Sequence, residues 1–258
     1  MKTVIIPTLN EEANIGRLIP QIYNYLGEEK VVVVVVDDES SDNTCGVVEK
    51  LNGNYNIRLL ERKGVRGISS AVHFAAKKAG NGHVAVMDAD FSHHPKHLPE
   101  LFKKVGQGYD IAIGSRYVDG GGVNGWPGYR LFLSLGATVI AKALFRFPVR
   151  DPMSGYAAFK SSQLLIDGIG SSESKFLIDI LATIKNLRVA EIPIVFNNRK
   201  LGLSKLNIVT ILGYLNQVLT RYFARDGRRI LPEHLRNLGP PVDAMHLATL
   251  QQTDISPQ

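Results

Sequence analysis

Cysteine is almost absent from this 258-residue chain. Cys45 stands alone, which excludes a disulfide framework, a four-cysteine zinc site and an iron–sulfur cluster, and fits a cytosolic compartment. Long apolar runs are missing too. Spanning a bilayer takes about 20 apolar residues. The longest uncharged candidate, 206–220, is shorter and holds Asn207, Asn216 and Gln217, so no transmembrane helix is expected. The chain opens Met1-Lys2-Thr3 and runs straight into Val4-Ile5-Ile6, so no secretory leader is expected either. No GxGxxG follows the first apolar run, and no GxxxxGK[ST] or GxSxG occurs. These absences argue against a Rossmann dinucleotide site, a P-loop and an α/β-hydrolase elbow. Internal repeats and low-complexity tracts are absent as well.

What is present reads as globular: 45% hydrophobic and 21% charged residues. The net charge is +6, and it is unevenly spread. Between Arg199 and Arg236 stand eight basic residues against Asp226 and Glu233, so this segment carries the whole excess. An anionic partner is expected at that end. Nucleic acid is not the expected one. Aromatics do not interleave with the basic residues, and the acidic loops described below would repel a phosphate backbone.

Short β-branched runs at Val4–Ile6, Val31–Val36, Ile57–Leu60, Val84–Met87 and Ile111–Ile113 read as strands. Val31 to Val36 is apolar on both faces, as a buried parallel strand requires. Ala13–Leu26, Asn43–Leu51, Gly67–Ala79 and Lys96–Val105 read as helices, with Asp42 or Ser41 able to cap the second. This alternation points to a doubly wound α/β sheet through about residue 115. Beyond it, a Gly120–Gly128 loop, a helix at Tyr129–Phe145, a turn at Arg150–Gly155, one strand at Val189–Phe196 and a helix at Leu206–Ala224 are expected. Prolines then break the pattern, and a loosely ordered tail is expected over 231–258.

Ligands of open α/β sheets bind beyond the carboxyl ends of the strands. There the first strand gives way to Pro7-Thr8-Leu9-Asn10-Glu11-Glu12 and the second to Asp37-Asp38-Glu39-Ser40-Ser41-Asp42. The fourth gives way to Asp88-Ala89-Asp90 and the fifth to Gly114-Ser115-Arg116. Clustered carboxylates stay ionised together beside a cation or a basic ligand. Asp88 and Asp90 can share one hard divalent cation, magnesium or manganese, or can instead cap the turn they sit in. His93-His94 reads more simply as loop than as a metal pair.

These stretches, with Met87–Pro95, resemble the GT-A glycosyltransferases of family 2. Several later stretches narrow the resemblance to the dolichol-phosphate mannose synthases and other polyprenyl-phosphate sugar transferases. They are Gly114–Tyr117, Gly120–Val123, Trp126 with Arg130 and Ser134, Asp151 with Ser154-Gly155, and Arg199 through Ser204-Lys205-Leu206. The likeness covers roughly residues 3–206. It implies an α/β fold of GT-A type, a Rossmann-like mixed sheet flanked by helices, over residues 1–205. It implies inverting transfer of a sugar from a nucleotide-diphosphate donor to a polyprenyl or dolichyl phosphate, with GDP-mannose favoured and UDP-glucose the alternative. By resemblance Pro7, Leu9, Glu11, Val36 and Asp38 hold the base and ribose. Asp88 and Asp90 hold the divalent metal on the donor diphosphate, and Ala89 and Ser92 bind substrate beside them. Arg116, Arg130 and Ser134 lie near the acceptor phosphate, and Lys175, Arg199 and Lys205 lie around both phosphates. Asp90, Arg116, Arg130 and Arg199 are the expected catalytic set. Leu9 departs from the aromatic that relatives often carry there. Ser92 departs from the glutamine of many bacterial relatives, and Ser followed by two histidines is more like the eukaryotic mannose synthases.

A lipid phosphate is already ionised at neutral pH, so its attack needs no general base. A hydroxyl acceptor would need one, and Asp179 is the candidate for that alternative. A processive polysaccharide synthase would carry Q-x-x-R-W and membrane helices; Gln217–Tyr222 only mimics that motif. The 206–224 helix has Ile208, Ile211, Leu212, Leu215, Leu219 and Tyr222 along one face, and basic residues follow it through residue 230. It reads either as an interfacial helix or as an amphipathic helix packed on the core. The expected location is peripheral, on the cytoplasmic membrane face, with room for a membrane-anchoring partner subunit.

Overall fold

The computed structural model describes residues 1–27, 31–145, 149–165, 176–184 and 186–198. The chain divides into two units, Met1–Tyr222 and Phe223–Gln258, and every described residue belongs to the first. Lys175, Arg199, Lys205, the 206–224 helix and the boundaries expected at 205 and 230 lie outside the described residues.

The first half alternates as expected. Its order is β1 (Lys2–Thr8), α1 (Glu12–Leu26), β2 (Val31–Asp37), α2 (Thr44–Leu51), β3 (Ile57–Glu61), α3 (Ile68–Ala79) and β4 (His83–Val86). A 3-10 turn, Pro95–His97, then leads into α4 (Leu98–Gly106) and β5 (Ile111–Ser115). Every residue of β2 is buried, because helices cover both faces of the sheet. Val32, Val34 and Val36 pack with Ile5, Val84 and Val86 on the α3 and α6 side. Val31, Val33 and Val35 pack with Val4 and Ile6 on the α1 and α4 side. The period-two alternation of strand side chains thus feeds two cores. At the head of α2, Asp42 Oδ1 accepts from the Thr44 N–H at 3.0 Å, the capping contact expected of it.

The second half holds more structure than its patterning suggests: β6 (Gly122–Asn124), α5 (Gly128–Phe145), β7 (Ala157–Lys160), a 3-10 segment Ser161–Leu165, α6 (Phe176–Thr183), β8 (Val189–Pro193) and β9 (Val195–Asn197). Among the described residues seven strands form one sheet, β3-β2-β1-β4-β7-β5-β8, and β6 pairs with β9 alone. β7 runs antiparallel between β4 and β5, so the sheet is mixed and the doubly wound pattern ends at β4. The strand expected at Val189–Phe196 is two strands. Pro193 has no N–H to continue a ladder. Beside it, Ile194 donates to Ser115 O at the end of β5 and accepts from Gly122 N at the start of β6. The chain therefore changes sheets at this buried residue. Among the described residues no helix is long and apolar enough to cross a membrane.

Phe159 on β7 is fully buried against Phe176 of α6, with ring centroids 6.0 Å apart. Phe159→Ala is expected to lower unfolding stability by about 3–5 kcal/mol in urea titrations. A loss under about 1 kcal/mol would mean that β7 is not a core strand.

Candidate active site

Three loops leave the carboxyl edge of β1, β2 and β4, and the first two are laced to each other. Asp37, 1% exposed, accepts from the Thr8 hydroxyl at 2.9 Å and from Ser40 N at 2.8 Å. Asn10 N donates to Ser40 Oγ, Asn10 Oδ1 accepts from Ser41 N, and Glu11 N donates to Thr44 Oγ1. Each loop also holds one non-glycine residue in the left-handed region: Asn10 (φ 60°), Glu39 (φ 60°) and Phe91 (φ 61°). That conformation costs about 1–2 kcal/mol per residue and persists only where its surroundings enforce it.

The residues expected around the nucleotide fall on this edge in different ways. Pro7, Leu9 and Glu11 are partly exposed. The Val36 and Ala89 side chains are buried in the cores, which leaves only their backbone for a ligand. Asp38 is tied down by a residue that the sequence reading passed over. Arg62, just past β3, meets both its oxygens at 2.7 Å, and Gly67 N adds a third hydrogen bond at 3.1 Å. A basic residue directly after a strand of this acidic edge was the available signal.

In the β4 loop Asp90 Oδ1 accepts from Ser92 N at 2.9 Å, so the turn-capping role is real. Asp90 is 5% exposed, whereas the Asp88 side chain is 30% exposed. His93 proves to be more than loop. Its ring is 2% exposed, stacked on Tyr156 at 5.0 Å and edge-on to Phe196 at 5.2 Å. Its Nδ1 accepts from Asp88 N at 3.3 Å and faces Asp88 Oδ2 at 3.5 Å. A Cβ on Gly155 would stand 3.5 Å from Asp88 Oδ1 and 3.2 Å from His93 Cε1, so glycine keeps the space beside this carboxylate clear. Ser92 Oγ is buried and has no hydrogen-bond partner among the described residues. Among those residues no group of three or more His, Cys, Asp or Glu forms a closed metal cage. Two carboxylates with open positions suit magnesium or manganese, which keep places for phosphate oxygens and water. His94 is plain loop: its Nδ1 caps the 3-10 turn through Lys96 N.

Beside this loop lies a basic cluster. Arg116 follows β5 and is 8% exposed. Its Nε and Nη2 donate to Asp151, itself 0% exposed, at 2.7 Å each, and its backbone N donates to the same carboxylate at 3.0 Å. Burial alone would lower the guanidinium pKa; hydrogen bonds and charge from Asp151, with smaller help from Tyr117 and Asp88, raise it instead. Arg116 therefore stays charged. Glu191 on β8 fixes the Asp151 turn through the backbone N–H groups of Arg150 and Asp151. Gly121 is obligatory in the same corner, since a Cβ there would sit 2.7 Å from Ser115 O. The Arg130 guanidinium lies 4.4 Å over the Trp126 ring, and that of Arg116 lies 5.5 Å from it. Ser134 bonds the Tyr117 hydroxyl at 2.8 Å. Arg116, Arg130 and Ser134 thus come together around Trp126 and Tyr117. Asp179 does not join them: it is 0% exposed and accepts from Ser69 on α3 at 3.0 Å.

The model for glycosyl transferase family 2 matches residues 3–164. The chain belongs to this family. It is 39% identical over 220 residues to the dolichol-phosphate mannosyltransferase of Pyrococcus furiosus, a match covering 84% of this chain and 62% of that one. The chain thus spans a little under two thirds of that relative's length. It is 32% identical over 238 residues to the dolichol-phosphate mannosyltransferase of Saccharomyces cerevisiae, covering 87% and 88%. Its fold matches glucosyl-3-phosphoglycerate synthase from Mycobacterium tuberculosis, solved with Mn2+, UDP and glucosyl-3-phosphoglycerate. The TM-score is 0.66 at 20% identity, with 90% and 81% of the two chains covered. The mixed sheet is accordingly the GT-A architecture of family 2, as the resemblance implied.

Within that architecture Asp151 is the counter-charge that lets Arg116 stay buried. Removing one partner of such a pair strands a charge, at about 3–5 kcal/mol. Asp151→Asn is expected to lose that much stability in urea unfolding, and Asp151→Leu combined with Arg116→Met to recover most of it. A single variant within about 1 kcal/mol of wild type would rule the dependence out.

Proposed function

We propose that this chain transfers mannose from GDP-mannose to a polyprenyl phosphate, with inversion at the anomeric carbon, at a membrane surface. The observation that carries the acceptor assignment is the setting of the arginine cluster. Arg130 and Ser134 stand on α5, whose outward face is apolar: Tyr129 is 68% exposed, Phe132 77% and Val139 65%, with Leu133, Leu135 and Ile140 beside them. Basic groups next to an exposed apolar face suit an anionic headgroup on a lipid tail. The names of the relatives support the sugar and the acceptor class.

In this reading Pro7, Leu9 and Glu11 line the base and ribose side, with Asp38 oriented by Arg62. Asp88 and Asp90 would hold a divalent cation against the donor diphosphate. When bound, that ion neutralises the diphosphate and stabilises the leaving nucleoside diphosphate. Arg130 is assigned to the acceptor phosphate, whose oxygens suit a guanidinium fork; Arg116, with Nε and Nη2 already bound to Asp151, has only Nη1 left to offer it. Lys175, Arg199 and Lys205 are assigned to the same phosphates by likeness. The attacking oxygen is already anionic, so the work is to bring two mutually repelling phosphate groups within near-attack distance. The hydroxyl-acceptor alternative has less support, because the base named for it, Asp179, is fully buried and accepts from the Ser69 hydroxyl. A peripheral position on the cytoplasmic membrane face, with or without an anchoring subunit, belongs to this reading and is supported by the lipid nature of the proposed acceptor.

The decisive assay gives the purified protein GDP-mannose or UDP-glucose, dolichyl or undecaprenyl phosphate, and Mg2+, and scores the lipid-linked product. Mannosyl lipid from GDP-mannose is expected, with chelation and Asp90→Ala each abolishing it. Unchanged turnover in Asp90→Ala would remove the metal assignment, and product only from UDP-glucose would change the donor. For the α5 face, Phe132→Ser with Val139→Ser removes two exposed apolar side chains. Each is worth about 1.5–3 kcal/mol if buried in lipid, so flotation affinity for anionic liposomes should fall by roughly two orders of magnitude or more. Equal flotation of variant and wild type would show that α5 does not face the bilayer.

A further inference from the structure

The carboxylate loop and the arginine cluster are not independent, because one short strand touches both. On β9, Asn197 N donates to Ser92 O at 3.2 Å, which ties the strand to the Asp88–His93 loop. One residue earlier, the Phe196 ring meets His93 edge-on at 5.2 Å and Trp126 edge-on at 5.3 Å, and lies 5.7 Å from the Arg116 guanidinium. One residue later, Asn198 Oδ1 accepts from Arg130 Nη1 at 3.1 Å, while Asn198 itself is held by Gly125 O and Asn124 O. Three consecutive residues therefore span from the loop that bears Asp88 to both arginines. Among them Phe196 alone contacts the two sides with one rigid group.

We propose that Phe196 is a positioning residue that sets the separation between the Asp88–His93 loop and the Arg116–Arg130 cluster. This rests on the donor and acceptor assignments above. In-line transfer requires the reacting atoms within about 3–3.5 Å, and a misplacement of about 1 Å costs about a hundredfold in rate. The ring sequence His93, Phe196, Trp126 acts as a spacer of fixed length. Edge-to-face contacts resist sliding, and pairing of Phe196 with Val123 of β6 holds the backbone beneath it. A leucine would fill part of the space and set no such distance.

Trp126 is the only tryptophan in the chain, so its emission reports on this contact directly. The test compares wild type, Phe196→Leu and Phe196→Tyr by calorimetry with Mg2+–GDP and Mg2+–UDP, by Trp126 fluorescence during the same titrations, and by steady-state transfer. In wild type the binding nucleotide should shift Trp126 emission. Phe196→Leu should bind that nucleotide within about threefold of wild type, give no emission shift, and lose about a hundredfold in kcat. Phe196→Tyr, which keeps the ring, should retain both shift and rate. The proposal is overturned if Phe196→Leu keeps kcat within threefold, if its nucleotide affinity falls in step with kcat, or if the tyrosine variant behaves like the leucine one. If wild type binds neither nucleotide, the donor reading fails and takes the proposal with it. If wild type binds nucleotide but does not transfer to polyprenyl phosphate, the acceptor reading fails, and the emission shift alone decides whether Phe196 links the two sides.

Discussion

The buried pair between Arg116 and Asp151 is the constraint on which the rest of the site depends. It closes the corner where β5 ends, the turn before β7 begins and β8 passes underneath, since Glu191 holds the same turn by its backbone. A guanidinium 8% exposed is tolerable only because its counter-ion is 0% exposed and doubly bonded to it. The fold thereby keeps a permanent positive charge close to an edge rich in carboxylates. The pair also fixes the guanidinium among the rings of Tyr117, Trp126 and Phe196, where it feels the charge of Asp88.

The other organising feature is the reversed strand. Four parallel strands, β3-β2-β1-β4, supply the acidic loops of the carboxyl edge, and an antiparallel β7 then separates them from β5 and β8. Because β7 runs the other way, its entry turn rather than its exit lies beside the ends of β4 and β5. Ser154, Gly155 and Tyr156 are therefore site residues: Ser154 bonds Gly114 O, Gly155 clears space beside Asp88, and Tyr156 stacks on His93. The mixed sheet is thus the means by which one side of the cleft acquires its wall.

Much of the first half could be read directly. Val31 to Val36 is apolar and β-branched at every position, the pattern of a strand covered on both faces. The loops after β1, β2 and β4 announce themselves through carboxylates at strand ends. The second half could not be read in this way. In β7 two alanines replace β-branched residues. In α6 the run Phe176-Leu177-Ile178 has no polar face to reveal a period, because every residue from Phe176 to Ala182 is buried. Pairings such as Arg62 with Asp38, or Phe196 with His93, join segments far apart in the chain, and no local pattern encodes them. His93 and His94 are alike in sequence, and it is the contacts of His93 with Tyr156, Phe196 and Asp88 that separate their roles. Three of the basic residues expected around the phosphates, Lys175, Arg199 and Lys205, rest on resemblance alone.

The left-handed residues Asn10, Glu39 and Phe91 bear on how this protein can evolve. They are places where the backbone is held against its own preference, one in each loop of the carboxylate edge. Glycine at Glu39 or Phe91 would relax the chain locally, yet it would also let the loop sample conformations that the present residue forbids. Stability and order at this edge therefore pull in opposite directions. Selection for a sturdier protein would find its easiest gains at the positions where this edge can least accept them.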